Sequence, residues 1–236
     1  MSQDDFDIDS LASYLHLLPQ QVARLADRGK LPGRKVGGQW RFSHAEMHHW
    51  LEERIGLSDE EQLLHFEDVL QSAQGGATGE IVIARMLPVE AISIPLPART
   101  RNSVFRAMVE KASATGWLWD PEKMAEAIRT REEMFPTALD NGVALLHPRR
   151  PMSSILGQAF LALGRTNTGI PFGAGHGTLT DIFFLICSVD DRGHLRTLAR
   201  LSRIIGSPGF LAALRDAPDA QAAHDLISTT ENELPG

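Results

Sequence analysis

Arg129-Thr-Arg-Glu-Glu-Met-Phe-Pro-Thr-Ala-Leu-Asp-Asn-Gly-Val-Ala-Leu-Leu-His147-Pro-Arg-Arg150 carries a helix end, a turn and a strand in one run. A helix stops at Pro136, Asn141-Gly142 turns the chain, and Val143 to Leu146 re-enters as a short apolar strand. His147 stands where that strand runs out, which predicts an imidazole at a sheet edge. Arg131 lies earlier on the helix that feeds the turn, and Arg149 and Arg150 follow directly. Arginines disfavour a bound cation at this histidine. They favour an anion such as a phosphoryl group, which guanidinium clamps through paired hydrogen bonds.

The flanking sequence alternates strands and helices. Glu80-Ile-Val-Ile-Ala and Ala91-Ile-Ser-Ile-Pro-Leu96 alternate like strands, and a helix from about Thr100 to Thr115 carries Val104, Phe105, Met108 and Val109 inward. Asp120-Pro121 caps the helix that ends at Arg131-Glu-Glu. After His147, Ala159 to Leu163 and Asp181 to Cys187 read as strands. The second is continuously apolar and therefore expected in the middle of a sheet. A long helix is expected from His194 to Ile205, with two shorter ones after Ser207 and near Asp219. This pattern predicts a layered α/β or α+β domain over 80–236.

The run Arg131-Glu-Glu…Pro136-Thr-Ala…Asn141-Gly-Val-Ala-Leu…His147 resembles the phosphorylation-site segment of the IIA domains of the sugar phosphotransferase system. The mannitol/fructose branch, with its nitrogen-regulatory members, is the nearest, and the resemblance spans about 86–231. It implies a sandwich of helices around a mixed sheet, with His147 accepting phosphate from the system's phosphocarrier protein. It also implies that Arg131 and a second histidine, His194, act on the transferring group, with no metal or organic cofactor. Two positions depart from the family pattern: Leu146 replaces the proline before the histidine, and Pro148 replaces the small residue after it, removing a backbone N–H. His176, in Gly173-Ala-Gly-His-Gly177, reads as a loop residue.

The 236 residues suggest one or two domains, and 43% hydrophobic content is enough for a sizeable core. The longest purely apolar run, Ile182 to Cys187, is far too short for a membrane span. An acidic N-terminus without an apolar signal core implies no export. Cys187 is the only cysteine, so no intramolecular disulfide forms; it reads as a buried small hydrophobe, and a reducing cytoplasm fits. Net charge is −7, unevenly spread: −1 over 1–55, −6 over 56–80 and zero over 81–236. Within 20–42 the excess is +5, of the sort that meets a phosphate backbone.

Residues 1–7 read as frayed. Asp9 or Ser10 caps a short helix over Leu11 to Leu15, and Pro19 starts a second that ends at Gly29. Val22, Leu25 and Ala26 face inward on it; Gln20, Gln21, Arg24 and Arg28 point away. Gly37-Gly38 joins two short strands as a hairpin, and Ser43-His-Ala-Glu46 opens a third helix with Met47, Trp50 and Leu51 inward. The run Gly29-Lys-Leu-Pro…Lys35-Val-Gly-Gly-Gln-Trp-Arg-Phe42 resembles the excisionase-like, MerR-like winged helix-turn-helix domains, over about 8–55. That implies DNA as partner. The second helix would enter the major groove with Gln20, Gln21 and Arg24 at base edges, and Arg28, Lys30, Arg34, Lys35 and Arg41 would sit on phosphates. Leu18 stands where that family has a Ser or Thr cap.

His44 and His48 are four apart, but no matching carboxylate or thiolate accompanies them, so no metal site is expected. Residues 56–79 form an acidic helical linker whose Leu63, Phe66, Val69 and Leu70 make a stripe. The stripe serves either as a homodimer seam or as packing on the neighbouring domain, and both stay open. The organisation expected is therefore 1–55, a winged helix-turn-helix DNA-binding domain; 56–79, a linker; and 80–236, an α/β sandwich of the IIA mannitol/fructose type. The function expected is a cytoplasmic transcription regulator that senses phosphotransferase status through His147. The alternative is a DNA-binding protein with a degenerate, unphosphorylated IIA-like scaffold that binds a protein or a small anion. At most the chain is a phosphohistidine-accepting component rather than an enzyme of its own. Arg131, at a helix end beside a polar mouth, is expected to be dispensable for stability.

Overall fold

The computed structural model describes residues 5–15, 17–43, 46–47, 50 and 81–234. The chain divides into two compact units, 1–80 and 81–236.

In the first unit, β1 (Asp5–Phe6) pairs antiparallel with β3 (Gln39–Ser43), and β3 pairs with β2 (Arg34–Val36). The N-terminal residues 5–6 are thus a strand, where fraying was expected; pairing to β3 supplies the partner the short stretch lacks alone. Helix α1 (Ile8–Leu15) begins earlier than expected because Asp7, not Asp9 or Ser10, is its cap. Asp7 accepts the Ser10 N–H at 2.8 Å, and the Ser10 hydroxyl oxygen accepts the Asp7 N–H at 2.9 Å. Helix α2 (Pro19–Asp27) has proline at its first position, and Gly29 leaves it with φ +64°. Gly37 and Gly38 both have positive φ, as a tight two-residue hairpin turn demands. Leu11, Val22, Ala26, Leu31, Phe42 and Met47 are buried, while Leu25 is only half-buried. Glu46, Met47 and Trp50 are helical, as expected of a third helix. Leu51, the linker stripe, His44, His48 and His49 lie outside the described residues.

The second unit runs α3 (Ile83–Met86), β4 (Ile92–Ser93), α4 (Arg101–Ser113), α5 (Pro121–Met134), β5 (Val143–Leu146), β6 (Phe160–Pro171), β7 (Leu179–Cys187), α6 (Asp191–Gly206), α7 (Phe210–Asp216) and α8 (Ala220–Glu233). The sheet order is β4-β6-β7-β5, with β4 parallel to β6, β6 antiparallel to β7, and β5 parallel to β7. The apolar strand β7 is interior, as its composition requires, and β5 is at the edge. Alternate residues of β7 point to opposite faces. Phe183 and Leu185 join the core under α4 and α5, while Ile182, Phe184 and Ile186 are buried on the other side. Burial of Phe183 and Phe184 is worth about 1.5–3 kcal/mol each. The result is the expected sandwich of helices around a mixed sheet.

Two expectations are corrected. The strand expected over 80–84 gives way to a helix, α3, from Ile83 to Met86. Val82 offers its N-terminus no side-chain cap, but Glu231 of α8 accepts the Ile83 and Ala84 N–H groups at 2.8 and 2.9 Å. Helix α6 starts at Asp191 rather than at His194, because Asp190 caps it by accepting the Gly193 N–H at 2.7 Å. Helix α8 runs for 14 residues and, as expected, is shorter than α6 with its 16.

Candidate functional site

The site is built at the carboxyl ends of two adjacent parallel strands, where open α/β sheets place their ligands. Leu146 ends β5 opposite Leu185 of β7, so the residues after the two strands emerge side by side. His147 is the first of these on β5. On β7 the chain passes through Ser188, is capped at Asp190 and turns into α6, whose fourth residue is His194. The two imidazoles meet with ring centroids 4.9 Å apart and planes inclined at 55°. Both are buried, each 2% exposed.

Each ring is oriented by its Nδ1. His147 Nδ1 lies 2.8 Å from the Leu145 carbonyl oxygen. A carbonyl only accepts, so in the neutral ring Nδ1 carries the proton and Nε2 carries the lone pair. His194 Nδ1 lies 3.0 Å from the Ser188 hydroxyl. If that hydroxyl donates, the His194 proton sits on Nε2. Ser188 was not singled out in the sequence, because a serine after an apolar strand carries no signal.

Arg131 is on the last turns of α5 and buried, 6% exposed, with its guanidinium donating to the Phe135 carbonyl at 2.7 Å. It was expected beside a polar mouth; instead it is buried and closes the helix C-terminus from inside the fold. Its neighbour Glu132, 1% exposed, accepts from Arg101 Nη2 at 3.1 Å and from the Thr137 N–H at 3.1 Å, and the Thr137 hydroxyl also donates to it. The Glu132 role was missed because its partner Arg101 is 31 residues away. Arg149 and Arg150 are exposed. His176 sits in a tight turn, Gly175–Gly177, with φ +54°. Burial raises the Cys187 thiol far above its ordinary pKa, which keeps it protonated and inert.

In the first unit Gln20, Gln21, Arg24, Arg28, Lys30, Arg34 and Lys35 are all exposed, and Arg41 is half-buried. Gln21 also serves the helix itself. Its amide oxygen accepts the Leu18 N–H at 2.9 Å, supplying the cap that the Leu18 side chain cannot. Several cations are held by local acids. Arg34 pairs with Asp5 at 2.8 Å and Lys35 with Asp27 at 3.6 Å. Lys35 also lies 5.0 Å over the Trp40 ring, and the Trp40 indole N–H donates to Asp27 at 3.1 Å. Among the described residues no group of three or more His, Cys, Asp or Glu could hold a metal ion, and no helix is long and apolar enough to cross a membrane.

Residues 6–55 match a helix-turn-helix domain model, and residues 85–230 match the model of the phosphoenolpyruvate-dependent sugar phosphotransferase system, EIIA 2. The chain is 31% identical over 150 residues to the nitrogen regulatory protein of Bradyrhizobium diazoefficiens, covering 62% of this chain and 94% of that protein. Among solved structures, IIA-Ntr from Neisseria meningitidis superposes with TM-score 0.55 at 21% identity, over 61% of this chain and 98% of that one. IIA mannitol in a complex with phosphorylated enzyme IIB mannitol, from Escherichia coli, gives 0.51 at 16% identity, over 59% and 95%. With one domain model covering 6–55 and the other covering more than half of its length, the chain is a helix-turn-helix domain fused to a IIA domain, and it belongs to the EIIA 2 family of the phosphotransferase system.

Proposed function

We propose that this chain is a DNA-binding transcription regulator whose IIA domain is phosphorylated on His147 by a phosphocarrier protein and so reports the state of the phosphotransferase system. The observation that supports it best is the His147–His194 pair, with His147 Nδ1 taken by the Leu145 carbonyl. That bond leaves the Nε2 lone pair as the nucleophile. It attacks phosphorus in line; the Nε2–P bond forms as the N–P bond of the carrier's phosphohistidine breaks, and the carrier imidazole leaves with the electron pair. The Leu145 carbonyl meets the positive charge growing on the His147 ring. His194, with Ser188 donating to its Nδ1, gives an Nε2–H to a phosphoryl oxygen. Arg131 adds charge at the same group, and catalysis is mostly positioning. The nitrogen-regulatory name of the Bradyrhizobium relative supports a signalling output, and the absence of an apolar membrane-crossing helix among the described residues is consistent with a cytoplasmic setting.

For the helix-turn-helix unit, Gln20 and Arg24 read base edges. Gln21 reads only through its amide NH2, since its oxygen caps α2. Arg28, Lys30, Arg34, Lys35 and Arg41 meet phosphates. The second reading, an unphosphorylated scaffold, is favoured by Pro148, which offers no backbone N–H to a phosphoryl oxygen. Incubation with phosphorylated phosphocarrier separates the two. Acid-labile, alkali-stable label on the wild type that vanishes in His147→Ala supports the first. A wild type that takes no label leaves the scaffold.

A further inference from the structure

We propose that Glu132 and Thr137 are positioning residues for His147, acting through the backbone on either side of the Leu145 α-carbon. The proposal deepens the phosphoacceptor reading, and it needs that reading only for its rate measurement.

Strand β5 is four residues long and at the sheet edge, so β7 holds only one of its sides. Its other side is covered by the loop that follows α5. The Leu139 N–H donates to the Val143 carbonyl at 2.8 Å, Ala138 bridges Ala144, and the Leu145 N–H donates to the Thr137 carbonyl at 3.3 Å. The last of these bonds is the one nearest His147, and Thr137 is where the loop is clamped. The Thr137 N–H lies 3.1 and 3.3 Å from the two Glu132 carboxylate oxygens, and its hydroxyl donates to the same carboxylate. Arg101 fixes the carboxylate from the far side, donating to it at 3.1 Å and to the Glu132 carbonyl at 2.6 Å. The Arg101 guanidinium is itself seated 5.4 Å over Phe172 and 5.9 Å over Phe105.

The chain of contacts is thus Arg101, Glu132, Thr137, Leu145, His147. Its last link is the Leu145 carbonyl that accepts from His147 Nδ1 at 2.8 Å. The direction of that carbonyl selects the tautomer and the tilt of the ring. The Leu145 N–H and C=O belong to successive peptide units that meet at its α-carbon, so holding the N–H at Thr137 limits the backbone rotation that aims the carbonyl. Thr137 supplies the outer hold, and Glu132 fixes Thr137. An ionised carboxylate in the interior is costly, and an apolar contact would tether the loop as well. What the carboxylate adds is direction: two acceptor oxygens fix both the amide and the hydroxyl of Thr137 at once.

The test uses the full chain labelled with 15N-histidine and the isosteric change Thr137→Val, which removes the hydroxyl and keeps the amide. Long-range 1H–15N spectra read the His147 tautomer directly. Thr137→Val is expected to melt cooperatively as the wild type does while raising the minority Nε2–H tautomer about fivefold, the factor that corresponds to one modest contact. Phosphoryl acceptance from the phosphorylated carrier should fall about tenfold in kcat with KM unchanged, as for a slightly misplaced nucleophile. Thr137→Ser should restore both readings, which a loss of packing alone would not. Thr137→Ala, at this half-buried position, gives the same reading if valine is not accommodated. Glu132→Gln, which keeps the shape and removes the charge, should follow Thr137→Val. Variants that fold and keep the wild-type tautomer overturn the proposal. A wild type that accepts no phosphate overturns the phosphoacceptor reading instead, and the tautomer measurement still decides the role of Thr137.

Discussion

The two units handle charge in opposite ways. In the first, cations stand on the surface and meet acids from the same small unit: Arg34 with Asp5, Lys35 with Asp27. In the second, charged side chains are drawn wholly or partly inside and satisfied by backbone groups, some from distant parts of the chain and one, Thr137 for Glu132, from five residues away. Glu231 caps α3, Arg165 donates to the carbonyls of Leu214, Arg215 and Ala217, and Glu132 holds Thr137. Surface pairs contribute little and are screened by salt, whereas a buried charge becomes costly when its partner is removed. The first arrangement leaves the cations at the surface, where water and salt compete with their acids. The second fixes a site.

Four substitutions would break or sharpen that contrast. Glu231→Ala should do most damage. It strips the buried Ile83 N–H, the half-buried Ala84 N–H and Arg200, which pairs with Glu231 at 3.2 Å, so the second unit should lose about 3–5 kcal/mol in chemical denaturation. A loss as small as that of a surface pair would erase the distinction. Arg131→Ala should come next, at about 2 kcal/mol, the scale of a buried charged hydrogen bond, together with loss of phosphoryl acceptance. Unchanged stability would restore Arg131 to a purely functional role. Asp7→Ala, removing the α1 cap, should cost about 1 kcal/mol. Its hydrogen bonds to Ser10 hold the Asp7 carboxyl below the ordinary value of 3.8. A carboxyl depressed on folding stabilises above its unfolded pKa. This contribution should therefore be present at neutral pH and disappear as pH falls through that region, so wild type and variant should converge in acid. Lys35→Ala should be the mildest, below about 1 kcal/mol, because both partners are largely exposed. Its DNA binding, however, should lose about 0.9 from the log–log salt slope. An unchanged slope would remove Lys35 from the phosphate contacts.

The same contrast explains what was legible in the sequence. The glycine hairpin, the proline-led α2 and the interior position of β7 follow from local signals and were read directly. The pairing of His147 with His194 followed from a family resemblance, not from spacing, since parallel strand ends bring together residues far apart in the chain. The alternating apolar residues at 81–84 pointed to a strand, and a helix formed at 83–86 because its cap arrives from α8, 148 positions later. Local propensity yields to such a partner. The Arg101–Glu132–Thr137 clamp was hidden for the same reason, though two of its members lie in the very run that marks the family. Asp7 was overlooked for a different one: a strand pairing upstream set where α1 could begin.

The Glu231 contact has a wider consequence. The first helix of the IIA unit is capped by its last, and the His224 ring adds a contact at 3.0 Å to the Ala84 carbonyl. The first and last helices of the unit are therefore tied together by a buried carboxylate. A module fastened in this way depends on its last turns of chain to keep its first helix in place. Deleting the final helix should loosen α3 rather than merely trim a tail.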